Sequence, residues 1–197
     1  MRTPEQIVEF LVRLEAHRIP HDIADLLTHF TGVHYWLRKL GAPEHVQTAG
    51  LLHTIYGAEA YPGLVFPVVR DDIRKLVGID TENLIHRYCS LTTASAEATV
   101  ILGDRRWLWD RWADKPLVLA DEEYEALLWL LFANSLDKDY RLRAFDAQRF
   151  RASTALTGSL WKVVARQLGE LAQRGWEDVY GESIASAEDG RLSEETE

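Results

Sequence analysis

The sequence predicts an all-α protein. Apolar residues recur at helical spacing through most of the chain, only 12 Gly and 6 Pro interrupt them, and strand-like apolar runs are few and short. Hydrophobic residues make up 47% of the 197 positions, which is enough for a packed core and excludes a globally disordered protein. We expect one helical domain over residues 1–180 and an acidic, disordered tail over residues 181–197.

Caps and breaks divide the chain into helices. In chain order the predicted helices are Pro4–Ala16, His21 or Asp22 to Leu40, Pro43 to Tyr56, Val68–Val77, Asp80 or Thr81 to Ser90, Asp121–Leu136, and Phe145 or Ala152 to Arg174. Thr3 is a suitable N-cap for the first helix, and Gly41 ends the second. Residues 57–67 contain two glycines and two prolines, so we expect an irregular connection there. The pattern over 92–99 does not distinguish helix from loop.

Charge and cysteine content limit the partners. A net charge of −9 disfavours extended contact with nucleic-acid phosphates, and we expect the interleaved Arg and Trp residues of 105–112 to pack at the protein rim. Cys89 is the only cysteine, which excludes an internal disulfide and disfavours a thiolate zinc site. The sequence has no secretory-type N-terminus and no apolar run approaching 18 residues, so we expect a cytoplasmic protein without a membrane partner. Association with further copies of the chain stays open.

Five of the seven histidines lie between His21 and His53. His17 and His21 flank the break at Ile19-Pro20, where we expect helix capping or solvent exposure. His29 and His53 are embedded in the apolar stretches LLTHF and LLHTIY. A buried imidazole costs free energy unless a hydrogen bond or a metal satisfies it, and neutral imidazole is a common metal ligand. These two histidines are therefore the first candidates for a functional site.

The pattern around these histidines resembles the HD-domain superfamily. Its hallmark is a His on one helix, a His-Asp doublet at the end of the next, and an Asp on a later helix. His29 corresponds to the first His, and residues 49–54 (AGLLHT) are similar to the family's A-x-L-L-H-D segment. Residues 70–85 are similar to the segment that follows in the family, and residues 131–136 (LFANSL) to its L-A-D-x-L helix. The resemblance covers roughly residues 21–140, and no single motif is intact.

The resemblance implies an HD-like helical bundle with a divalent metal (Fe, Mn or Zn) held by His29, His53 and Asn134. The family's complete sites contain carboxylates where this chain has Thr54 and Asn134. Without those carboxylates the ligand set is neutral, which suits zinc, copper or ferrous ion better than magnesium. Nearby acids that could replace the missing carboxylates are Asp137, Asp22 and Glu59.

Three functional hypotheses follow from the resemblance. The first is a hydrolase of a small, phosphorylated or nucleotide-like metabolite, in which the metal activates water. The second is an iron-dependent oxygenase of the HD type, and the third is a catalytically silent module that binds a ligand or a protein. For an anionic substrate we expect positive charge from Arg70, Arg74 and Lys138. In a pocket without a metal we expect Tyr56, Thr54 and Asn134 to be hydrogen-bond partners. Without a metal, His29 or His53 would serve as general base.

Overall fold

Helices dominate the computed structural model, which describes residues 2–61, 63–64, 66–104 and 107–181, without the side chains of residues 155 and 156. The α-helices are α1 Pro4–Arg13, α2 Leu26–Lys39, α3 Glu44–Gly50, α4 Arg70–Val77, α5 Ile79–Ser90, α6 Thr93–Leu102, α7 Asp121–Phe145, α8 Ala147–Leu168 and α9 over residues 170–181. The two short antiparallel pairs are β1 Pro20–His21 with β2 Ala24–Asp25, and β3 Trp109–Asp110 with β4 Lys115–Pro116. The prediction of an all-α fold is confirmed.

The second helix begins later than the sequence predicts. The β1–β2 hairpin occupies residues 20–25, and Asp25 then caps α2 by accepting hydrogen bonds from the Thr28 backbone N–H at 2.9 Å and the Thr28 hydroxyl at 2.6 Å. The predicted start at His21 or Asp22 is therefore wrong. The third helix ends at Gly50, and residues 51–56 form successive turns, so the predicted continuation to Tyr56 is also wrong.

The C-terminal helices are divided differently from the prediction. Helix α7 continues nine residues beyond the predicted end at Leu136, to Phe145, and Asp146 then caps α8 by accepting the Arg149 backbone N–H at 2.9 Å. Gly169, with φ +107°, separates α8 from α9, so the predicted single helix to Arg174 is two helices. Residues 92–99, for which the sequence pattern does not distinguish helix from loop, comprise the cap Thr92 and most of α6. The predicted tail lies almost entirely outside the described residues.

Helix α2 lies at the centre of the fold, where it packs against both α3 and α7. Its buried face contains Phe30, Val33 and Leu37, and α7 contributes the fully buried Phe132 and Leu136 to the same core. Burial of each such side chain is worth roughly 1.5–3 kcal/mol. This packing brings the turns after α3 and the middle of α7 against the middle of α2. None of the helices in the described residues has the length and apolar content needed to cross a bilayer.

A buried glutamate joins α4 to α5. Glu82 is fully buried and accepts hydrogen bonds from Arg70 Nε (2.6 Å) and Nη2 (2.7 Å), Arg74 Nε (2.9 Å) and the Tyr56 hydroxyl (3.0 Å). Burial acts to raise the pKa of Glu82, but these hydrogen bonds outweigh it and the pKa is lowered. The carboxylate is thus stabilised in its charged form.

Replacing Glu82 with glutamine is expected to lower the free energy of unfolding by about 2–3 kcal/mol at neutral pH. Because the carboxylate has a lower pKa in the folded chain, its contribution is present above the usual value of 4.5 and is lost as the pH falls through the folded value. Urea unfolding should therefore show a smaller difference between variant and wild type at about pH 3. The exposed Glu122 provides the matched control, Glu122→Gln. An equal difference for Glu82→Gln at both pH values would contradict this account.

Candidate functional site

His29 is the centre of a buried polar cluster in an apolar core. It lies on α2 with 2% of its surface exposed, and each of its ring nitrogens has a polar neighbour. Its Nδ1 lies 2.8 Å from Asp137 Oδ2, and its Nε2 lies 3.2 Å from His53 Nε2 and 3.0 Å from Asn134 Oδ1. Asn134 and Asp137 are three residues apart on α7 and so project from the same face of that helix.

His53 is held in one tautomer by the backbone. It lies in the turns after α3, its side chain is fully buried, and its Nδ1 lies 2.8 Å from the Gly50 carbonyl oxygen. A carbonyl can only accept, so Nδ1 carries the proton and Nε2 presents a lone pair towards His29. Burial, followed by the proximity of His29, lowers the pKa of His53 well below its usual value. His53 is therefore a neutral imidazole at physiological pH.

His53 Nε2 and Asn134 Oδ1 both lie against His29 Nε2. The carboxylate of Asp137 accepts a hydrogen bond from His29 Nδ1–H, so the neutral form of this ring also presents a lone pair at Nε2. The Oδ1 atom of Asn134 brings further lone pairs to within 3.0 Å of that nitrogen. Lone pairs this close repel one another unless a proton or a cation lies between them. The arrangement therefore fits a positively charged group at the meeting point of His29, His53 and Asn134.

The spacing of these atoms was compared with that required by a metal. Zinc and similar ions bind imidazole nitrogen and carbonyl oxygen at roughly 2.0–2.2 Å, so two ligands of one ion lie roughly 3–3.5 Å apart. The separations of 3.2 Å and 3.0 Å fall in this range. Metal-bound imidazoles usually donate their other N–H to a carboxylate or a backbone carbonyl, as His29 and His53 do. Within the described residues, no three His, Cys, Asp or Glu side chains are grouped to hold a metal, so this set depends on the amide of Asn134.

Asp137 is positioned by a close approach of α7 to α2. It is 2% exposed and accepts hydrogen bonds from His29 and from Arg141 Nε, at 3.0 Å to Oδ2, while Arg141 Nη2 donates to the Thr28 carbonyl at 3.1 Å. Gly32 makes this approach feasible, because a Cβ atom at that position would lie 1.9 Å from Asp137 Oδ1. The sequence analysis proposed Asp137 as a replacement metal ligand. In the structure its carboxylate instead contacts Nδ1 of His29, on the opposite side of the ring from Nε2.

His21 belongs to the same cluster, so the expectation that it caps a helix or is exposed is wrong. Its ring is 6% exposed and lies 4.4 Å from the His29 ring and 4.5 Å from the Tyr61 ring, centroid to centroid. Burial, followed by the proximity of His29, lowers the pKa of His21 to about 4. The Tyr61 hydroxyl donates to Asp22 Oδ1 at 2.7 Å, which connects the β1–β2 hairpin to Tyr61 beside the His21 ring.

A cavity of about 560 Å³ opens beside the histidine cluster. His21, His29, Thr54 and Asn134 form its polar wall, and side chains of α6 and α8 line much of the remainder. This volume is within the usual range for a small-molecule site. The cluster is thus accessible to a small ligand on one side and packed in the core on the other.

The catalytic residues predicted from the sequence fall into two groups. Thr54 and Lys138 line the cavity. Tyr56 and Arg70 are absent from its lining and instead hold Glu82, and Arg70 Nη2 also donates to Asn83 Oδ1 at 3.0 Å. The structure therefore brings Thr54 and Lys138 to the histidines, while it assigns the other two residues a structural contact.

The side chain of Thr54 is an unsatisfied polar group at the cavity wall. It is 6% exposed, and its Oγ1 has no hydrogen-bond partner among the described residues. A buried hydroxyl without a partner costs about 1–3 kcal/mol. Binding a polar group of a ligand would recover that free energy.

Replacing Thr54 with valine is expected to raise the free energy of unfolding by about 1 kcal/mol, because it removes the unsatisfied hydroxyl at almost constant volume. The same substitution should weaken ligand binding or turnover at the cavity. Thr99→Val is a matched control, since Thr99 Oγ1 is also buried without a partner in the described residues and Thr99 does not line the cavity. Chemical denaturation of both variants checks the stability. A loss of stability in Thr54→Val would contradict the assignment of an unsatisfied hydroxyl.

Sequence reasoning missed Arg141 and Gly32 and misjudged His21. Gly32 offered a usable signal, since a glycine inside a helix is unfavourable and it lies one turn from His29. Arg141 offered none, because an arginine on the polar side of a helix is ordinary. His21 was misjudged because it lies in the β1–β2 hairpin, which the sequence pattern does not indicate.

A known family model matches the part of the chain that contains the three clustered histidines. A family model described as a domain of unknown function (DUF6817) matches residues 10–92. The match includes His21, His29 and His53 and ends before α7, which carries Asn134 and Asp137. No curated protein and no solved structure gave a significant match to the chain.

Proposed function

We propose that this chain is a metal-dependent hydrolase of a small cytoplasmic metabolite, with His29, His53 and Asn134 as the metal ligands. One observation carries the proposal: His29 Nε2 lies 3.2 Å from His53 Nε2 and 3.0 Å from Asn134 Oδ1, and His29 and Asn134 line the cavity. The Nδ1–H of each imidazole is hydrogen-bonded: that of His29 to Asp137, and that of His53 to the Gly50 carbonyl oxygen. Ligands prepared in this way bind a metal without reorganising.

The order of the site residues along the chain supports an HD-type site. The first His lies in a helix, the second follows the next helix, and the third ligand lies on a later helix, as in the resemblance described above. The family's carboxylates are replaced by Thr54 and Asn134, which leaves the ligands neutral. In this proposal Asp137 supplies the compensating negative charge through His29, 2.8 Å from its Nδ1.

The surrounding residues have separate roles in the proposed reaction. A bound divalent metal would lower the pKa of water and supply the nucleophile for hydrolysis. The unsatisfied hydroxyl of Thr54 donates a hydrogen bond to the substrate, and Lys138 binds the substrate's negatively charged group. His21 covers one face of His29 and restricts water on that side.

An iron-dependent oxygenase is the second candidate. Two neutral imidazoles and an amide oxygen suit ferrous iron better than magnesium, and many of the residues that line the cavity are apolar. The two candidates share the same ligands and differ in the metal and the second substrate. Metal identity therefore separates them.

The test is metal content measured together with turnover. Wild type, His53→Ala and the control His45→Ala are each loaded with zinc, manganese or ferrous ion, desalted, and analysed by mass spectrometry for bound metal. His45 is an exposed histidine of α3, so its loss removes an imidazole without touching the site. Hydrolysis of p-nitrophenyl phosphate and consumption of O₂ are then recorded for each metal form.

We expect about one metal per chain in wild type and His45→Ala and a loss of at least about tenfold in metal affinity in His53→Ala. Phosphate release that follows metal content supports the hydrolase. Iron binding with O₂ consumption and no phosphate release overturns the hydrolase in favour of the oxygenase. Equal metal content in all three proteins, or none in any of them, contradicts both and leaves metal-free acid–base catalysis or a catalytically silent binding module.

A further inference from the structure

We infer that the cavity takes a molecule with an apolar body and a single anionic group, and that Lys138 determines this specificity. The inference deepens the proposed function by naming its substrate class, and it rests on the cavity serving as the substrate site. Of the phosphorylated substrates that the resemblance suggests, only those with one charged group fit this specificity. Nucleoside di- and triphosphates are excluded.

Large apolar side chains contribute much of the wall away from the histidines. Val100 and Ile101 of α6 face the cavity on one side, and Leu160 and Trp161 of α8 face it on the other, with α6 packed against α8. Hydrocarbon buried against such walls gains roughly 25 cal/mol per Å². An aliphatic or aromatic body fits between these four side chains.

Lys138 is a cation at the cavity without an ion pair in the described part of the chain. Among the described residues, three acidic ones also line the cavity. Glu59 accepts the Thr93 backbone N–H at 2.6 Å, Asp139 accepts the Tyr180 hydroxyl at 2.5 Å, and Glu97 is exposed at the rim. One unpaired cation among these carboxylates can hold one anionic group, but several phosphates would be repelled.

The position of Lys138 orients the ligand. It follows Asn134 by four residues on α7, so the two side chains project from the same face one helical turn apart. An anionic group on Lys138 therefore lies beside the histidine cluster, and the apolar body extends towards α6 and α8. Thr54 contributes its unsatisfied hydroxyl on the histidine side.

Calorimetric binding of four probes in the presence of a chelator tests this inference. Octanoate and octylphosphonate combine an apolar chain with two kinds of anion, octanol lacks the charge, and ADP lacks the apolar chain. The variants are Lys138→Met, Lys138→Arg and Ala96→Phe, the last of which fills the cavity from α6. Lys75→Met is the matched control, because the Lys75 side chain is 78% exposed on α4. The chelator separates this test from the proposed function, since metal binding is not required.

Wild type should bind octanoate or octylphosphonate more tightly than octanol and ADP. Lys138→Met should weaken binding of the anionic probe by at least about tenfold and leave octanol almost unchanged, while Lys138→Arg and Lys75→Met retain the affinity. Ala96→Phe should weaken both anionic and neutral probes. Preference for octanoate or for octylphosphonate identifies the anion as a carboxylate or a phosphorus acid. Tighter binding of ADP, equal effects of Lys138→Met and Lys75→Met, or no binding of any octyl probe would overturn the inference.

Discussion

Replacing Gly32 with alanine is expected to lower the free energy of unfolding by about 3 kcal/mol and to separate Asp137 from His29. The added Cβ would lie 1.9 Å from Asp137 Oδ1, 2.7 Å from Asp137 Cγ and 2.5 Å from Arg141 Nη2. Asp137 is 2% exposed and hydrogen-bonded on both sides, so it cannot move aside without losing a partner. The measurements are urea unfolding and metal affinity of the variant.

Gly181→Ala provides the control for this prediction. A Cβ at Gly181 meets nothing closer than 3.9 Å, so alanine should be tolerated there. Combining Gly32→Ala with Asp137→Ala should cost less than the sum of the two single changes, because removal of the carboxylate leaves room for the new methyl group. A stable Gly32→Ala protein with normal metal affinity would show that α7 does not approach α2 as described.

Asp137→Asn is expected to lower the free energy of unfolding by about 2–3 kcal/mol and to weaken metal binding by about 10–100-fold. Asparagine preserves the size of the side chain but removes the charge that faces His29 Nδ1 and Arg141. His29 then loses the group that fixes its tautomer, and Arg141 loses its carboxylate partner. Chemical denaturation and a zinc titration measure the two effects.

Asp71→Asn is the control for the aspartate substitution. The Asp71 side chain is 75% exposed and pairs with Arg74 across 3.1 Å at the surface, where such a pair contributes about 0–1 kcal/mol. If Asp137→Asn were as mild as Asp71→Asn in both measurements, the carboxylate would have no role in orienting His29.

The helices were predictable because their signals are local. Thr3 caps α1 with a capping box to Gln6, and Gly78 separates α4 from α5. Each of these two signals lies within a few residues of the helix end that it marks. The β1–β2 hairpin was not predictable, because strands of two residues leave no alternating pattern. The end of α7 was missed for a related reason: its apolar stripe gives way to charged residues after Leu136, although the backbone stays helical to Phe145.

Some residues of the candidate site could likewise be predicted from local sequence, and others could not. His29 and His53 were recognisable because a histidine within an apolar stretch needs a partner, and Asn134 followed from the resemblance. The contact between Asp137 and His29 depends on how α2 and α7 cross, and Gly32 controls that crossing. No pattern within one helix encodes such a crossing. Tyr56 and Arg70 were expected at the site, but the buried Glu82 engages both of them.

Anomalous X-ray diffraction from crystals loaded with zinc tests the central claim most directly. The predicted result is one strong anomalous peak within bonding distance of His29 Nε2, His53 Nε2 and Asn134 Oδ1, and its loss in crystals of His53→Ala. A peak only at other histidines, such as the exposed His45, or no peak at the convergence of these three side chains, would contradict the claim that they form a metal centre.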